Sequence, residues 1–67
     1  MAVKTWRVRP KADGRGWLVF SPDGKRTEFV TGGLAIEFGR QEAQEAHGIL
    51  LVYDSAGREI KEDYRLH

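Results

Sequence analysis

The chain has 67 residues, with 11 basic side chains, 10 acidic ones and no cysteine. That is one domain, residues 1–67, and a chain so short buries only about 60% of the surface its unfolded form exposes. The missing cysteines exclude disulfides and thiolate zinc sites. The longest apolar run, Ile49 to Tyr53, is far short of the roughly 20 residues that span a bilayer.

The opening MAVKTWRV has no apolar signal-peptide core, so the expectation is a cytoplasmic protein with no membrane partner. The small net charge hides an asymmetry. Residues 1–26 hold seven basic and two acidic side chains, and residues 27–67 hold four and eight. Such a chain either has a sided field or neutralises itself by pairing its halves as neighbouring strands.

From Thr5 to Pro10 the pattern alternates: Trp6 and Val8 point one way, Thr5, Arg7 and Arg9 the other. This reads as a half-buried strand. Asp13-Gly14 marks a turn. GWLVFS is a second strand, with Trp17 and Val19 on one face and Leu18 and Phe20 on the other, so it is apolar on both sides. Ser21-Pro22-Asp23-Gly24 is a strong turn. Lys25 to Thr31 is a third, more polar strand anchored by Phe29, and its charges suit a sheet edge.

The period then changes. Ala35, Phe38, Gly39, Ala43 and Ala46 recur at spacings of three and four, which predicts an amphipathic helix from Ala35 to His47. Thr31 is placed to cap it, Gly39 and the alanines let it lie close on a sheet, and Gly48 reads as the residue that stops it. ILLVYD is the most hydrophobic strand. After a turn at Gly57, Arg58 to Leu66 alternates again, with Ile60, Glu62, Tyr64 and Leu66 sharing a face; a short helix is the alternative there. The predicted class is α+β: an antiparallel sheet of about five strands, in the order β-β-β-α-β-β, with one amphipathic helix packed on it. Trp6, Val8, Trp17, Val19, Phe29, Phe38, Ala43, Leu51 and Tyr53 are the expected core.

Trp6-x-Val8-x-Pro10, then Gly16-Trp17-x-Val19, a helix ending near Gly48, Leu51-Val52, Gly57, Ile60 and Tyr64 resemble the bacterial domain-of-unknown-function family 2188 over nearly the whole chain. Gly32-Gly33 and Gly39 depart from that pattern. The resemblance implies an α+β domain of bacterial or phage origin and brings no activity with it. The front half is also similar, at the level of fold, to AP2-like and integrase arm-binding domains, whose three-stranded sheet lies in a DNA groove.

Nothing in the chain assembles into catalysis. Ser21 and Ser55 sit beside turns, His47 reads as a cation at a helix end and His67 is terminal, so no nucleophile has an oriented base. The reading is a non-enzymatic domain with no cofactor, metal or small-molecule substrate. Gly32-Gly33 before a helix is a weak phosphate cradle without a Walker lysine.

Two binding roles remain. One is nucleic-acid binding, with Arg7, Arg9, Lys11, Arg15, Lys25 and Arg26 as phosphate contacts. The other is a protein-interaction or self-association module, with a homodimer as one form, using Leu18, Phe20 and Val30. Leu18 and Phe20 decide between them, because apolar residues on a second sheet face need a cover from the chain or from a partner. Alternation leaves open which face the helix covers.

Overall fold

The computed structural model describes residues 3–65, so Leu66 and His67 lie outside the described residues. Six elements follow the expected order: β1 (Thr5–Pro10), β2 (Trp17–Phe20), β3 (Arg26–Phe29), α1 (Gly32–Glu45), β4 (Ile49–Tyr53) and β5 (Glu59–Asp63). The last segment is therefore a strand and not a short helix. The sheet order is β3-β2-β1-β4-β5. β1, β2 and β3 form an antiparallel meander that grows away from β1. Helix α1 then carries the chain back across the sheet, and β4 enters on the free side of β1, parallel to it. A crossover helix gives this result where a tight turn cannot. β5 completes a hairpin with β4. The sheet is thus mostly antiparallel, with one parallel pair.

The register identifies the two faces. Val8 pairs with Val19 and Val52, and Trp6 pairs with Leu50. These side chains, with Ala35 and Ala43 of α1, form the buried core. Trp17, Phe29, Ile36, Phe38, Ala46 and Tyr64 close it at the margins. Helix α1 therefore covers the Trp6–Val8–Val19 face. Leu51 and Tyr53 are corrected: they lie on the other face, and Leu50 and Val52 take the core positions. ILLVY is apolar at every position, so its composition carries no phase; only its register against β1 does.

Thr31 caps the helix as expected, but the helix opens at Gly32, three residues before the expected Ala35. The Leu34 N–H donates to Thr31 Oγ1 at 3.3 Å, and this satisfies one of the free N–H groups of the first turn. Gly32 makes room for an aromatic ring, because a Cβ there would stand 2.7 Å from Trp17 Cε2. Gly39 is the point of closest helix–sheet approach: a Cβ would meet Leu50 Cδ1 at 3.0 Å and Val8 Cγ2 at 3.1 Å.

The end of the helix differs from expectation. Ala46 is the cap, and His47, not Gly48, takes the left-handed position with φ 53°. His47 N–H donates to Gln44 O at 3.2 Å and Gly48 N–H to Ala43 O at 2.8 Å. These are the two bonds of a Schellman ending.

Candidate nucleic-acid interface

The face opposite the helix is not covered by any element among the described residues. Pairing across the sheet sets its side chains in rows. Arg26 lies beside Phe20, Phe20 beside Arg7, Arg7 beside Leu51 and Leu51 beside Lys61. This row crosses all five strands and alternates cation with apolar side chain. In the next row Glu28 lies beside Leu18 and Leu18 beside Arg9. The Arg9 guanidinium stacks over the Tyr53 ring, 5.1 Å from its centroid. Tyr53 lies beside Glu59 and donates its hydroxyl to Glu59 Oε1 at 2.7 Å. Leu18, Phe20, Leu51 and Tyr53 are half-buried, packed by their neighbours in the sheet with one side left to solvent.

The electrostatics follow from this placement. Arg7, Arg9, Arg26 and Lys61 form no salt bridge among the described residues. Lys11 does: its Nζ holds Glu28 Oε2 at 2.9 Å, and that bond raises the pKa of the ammonium. Glu28 is thereby neutralised at the rim of the face. The other side of the molecule is acidic, with α1 presenting Glu37, Glu42 and Glu45 against one arginine, Arg40. Arg40 in turn grips Glu62 through Nε at 2.9 Å and Nη2 at 2.8 Å. That fork, with a hydroxyl bond from Tyr64, holds the Glu62 carboxyl below its ordinary pKa. Four cations without a salt bridge among the described residues thus share the open face with Glu28, Glu59 and Asp63, while α1 presents three glutamates and one arginine.

Of the residues expected to contact phosphate, the fold brings Arg7, Arg9, Lys11 and Arg26 together, with Leu18 and Phe20 between them. It does not bring Arg15 or Lys25 to them. Arg15 sits in the β1–β2 turn, where its N–H donates to Asp13 at 2.9 Å. Lys25 lines a groove of about 280 Å³ on the helix side with Lys4, Trp6, Phe38 and Glu42. Val30 is 85% exposed just past the paired residues of β3. Lys61 joins the face without having been singled out, and Leu51 and Tyr53, expected in the core, join it too. The alternation of Arg58 to Asp63 already placed Lys61 opposite Ile60. Only the phase of β4 was missing.

Both tryptophans lie on the helix side. Trp6 is 6% exposed and donates its indole N–H to Glu42 Oε1 at 3.1 Å. Neither is a stacking platform on the open face.

No family model, curated protein or solved structure matches the chain. Among the described residues, no helix is long and apolar enough to cross a membrane.

Proposed function

We propose that this domain is a binding module for single-stranded nucleic acid, held along the open face of the sheet. The observation that carries the proposal is the row Arg26–Phe20–Arg7–Leu51–Lys61. A strand of nucleic acid presents phosphates and bases in alternation. Arginines meet the phosphates and release their counterions, while Phe20 offers a ring to unpaired bases. A duplex keeps its base faces stacked inside, so the ring of Phe20 would have no base face to meet. The role is binding, with no bond made or broken.

The same face serves a protein partner less well. Two copies stacked face to face about an axis through the centre of the row would bring Arg7 of each close to Arg7 of the other, and like charges brought together cost affinity. An acidic protein would satisfy the cations but would not use the interleaved rings.

Fluorescence anisotropy with labelled single-stranded DNA, single-stranded RNA and duplex of one sequence tests this. We expect single-strand binding that weakens steeply as salt rises from about 50 to 200 mM. Arg7→Glu with Arg9→Glu should remove it while the circular dichroism spectrum is kept. Lys25→Glu changes charge on the other side and should reduce affinity much less. Absence of binding at low salt, indifference to salt, or equal losses from the two sets of variants would each overturn the reading.

A further inference from the structure

β5 is an edge strand whose outer backbone groups have no partner among the described residues. The ladder fixes which groups these are. In an antiparallel strand each residue turns its N–H and C=O to the same side, and successive residues alternate. The Tyr64 N–H donates to Gly48 O at 2.8 Å, and the Arg58 carbonyl accepts from Asp54 N–H at 3.1 Å. Arg58 and Tyr64 thus face β4, and steps of two place Ile60 and Glu62 on that side as well. Glu59, Lys61 and Asp63 are left with N–H and C=O aimed outward.

The side chains along this edge have a second property. Arg58-Glu59-Ile60-Lys61-Glu62 read backwards presents the opposite charge at every charged position, and isoleucine meets itself. We propose that two copies of this chain pair through β5, antiparallel, about a two-fold axis at Ile60. In this register the outward N–H and C=O of Glu59 bond those of the partner's Lys61, and the reciprocal pair closes the ring. The side chains of Glu59 and the partner's Lys61 face each other on the open side of the sheet. Arg58 and the partner's Glu62 do so on the helix side. Ile60, 58% exposed, covers its own copy at the axis.

The neighbouring registers fail on charge. Centring on Glu59 or on Lys61 sets that residue against itself, and centring on Lys61 also opposes Glu59 to Asp63. Centring on Glu62 brings two carboxylates together where cross-strand side chains are closest. The opposite edge, β3, is only four residues long, and its Glu28 already holds Lys11 at 2.9 Å. In β5 the central pair is available. Lys61 has no salt-bridge partner among the described residues, and Glu59 spends Oε1 on the Tyr53 hydroxyl and keeps its other oxygen. The outer pair adds less, because Arg58 Nε already holds Asp54 at 2.8 Å.

The product is one continuous sheet with both open faces on the same side and both helices on the other. Self-association through the edge avoids the arginines that oppose stacking of the faces. The contact is small, so the dimer is a weak one, with a Kd on the order of 0.1–1 mM.

Sedimentation equilibrium of the full chain up to about 1 mM, the weak end of that range, tests the proposal. The wild type should dimerise. Glu59→Lys and Lys61→Glu, each alone, place like charges across the axis and should be monomeric at the same concentration. Mixed in equal amounts they should form a heterodimer, because the two changes complement each other. Lys61→Pro removes an outward N–H that the monomer leaves to solvent, and it should abolish dimerisation while the monomer stays folded by circular dichroism. A wild type that stays monomeric, single variants that still dimerise, or a mixture that does not associate would each overturn the proposal. Because the readout is mass, failure here is separable from failure of nucleic-acid binding.

Discussion

Gly48 and Trp6 compete for the same space: a Cβ on Gly48 would stand 2.7 Å from Trp6 Cζ3 and 2.5 Å from the Lys4 carbonyl oxygen. The carbonyl belongs to the chain entering β1, and the ring is buried against the core, so neither can retreat easily. The glycine is there for room. The left-handed turn that a glycine would ease falls one residue earlier, on His47.

Two substitutions of opposite sign follow. Gly48→Ala forces the start of β1 or the Trp6 ring outward and should cost about 2 kcal/mol, within the range for overpacking. His47→Gly removes the strain of a side chain in the left-handed region, about 1–2 kcal/mol, offset by the entropy glycine loses on folding. It should stabilise by about 0.5–1 kcal/mol. Urea denaturation monitored by tryptophan fluorescence reads both. Equal or reversed signs would show that Gly48 serves the turn after all.

The open face predicts a split between stability and binding. Phe20→Ala removes a stacking surface worth about 1–3 kcal/mol per base, so single-strand affinity should fall roughly 10- to 100-fold. Because Phe20 is half-buried on an uncovered face, its unfolding midpoint should shift far less than for Val19→Ala, whose side chain is fully buried. The tryptophans give a second readout. Saturating oligonucleotide should leave Trp6 and Trp17 emission nearly unquenched, whereas a Phe20→Trp variant should be quenched on binding. Strong quenching of the native pair would place the ligand on the helix side.

Acid should unfold the domain through the contact between helix and edge strand. Glu62 has a depressed pKa because the Arg40 fork bonds its charged form. A depressed carboxyl contributes stability that is fully present above its unfolded value, near 4.3, and is lost as pH falls through the folded value. Asp63, bonded by Arg65, is held down to about 2, and Asp54 is lowered by the Arg58 N–H, so they act in the same direction. Both are solvent-exposed and screened, and their share is smaller. Glu62→Gln should therefore lower stability at pH 7 and flatten the loss below about pH 4. Urea midpoints from pH 2 to 7 measure it, and a variant with the slope of the wild type would place the acid-sensitive group elsewhere.

The sequence carried most of this fold and about half of the face. Alternation located β1 and β2 and assigned Trp6, Val8, Trp17 and Val19 to one side, because polar residues marked the other side of β1. The helix was legible from spacing alone, and its lightly substituted stripe, Ala35-Gly39-Ala43, announced a close approach. β4 was legible as a strand but not in phase, since five consecutive apolar residues look the same from either side. Leu51 and Tyr53 were therefore misassigned, and with them half of the surface that Arg7 and Arg9 share. Lys25 failed for a simpler reason. It closes the turn just before β3, and its side chain lines the helix-side groove, while its neighbour Arg26 opens the strand on the other face.

The parallel contact between β1 and β4 has a consequence for synthesis. β1 is the central strand of the finished sheet, yet its partner on one side, Ile49 to Val52, is made only after β2, β3 and α1. Until then the nascent three-stranded meander exposes the long flank of β1, with Trp6 and Val8 on a face that no helix yet covers. An uncapped apolar strand is what recruits other chains. Translation that stalls between β3 and β4 should yield a sticky fragment, whereas synthesis that continues past β4 yields a β1 paired on both sides.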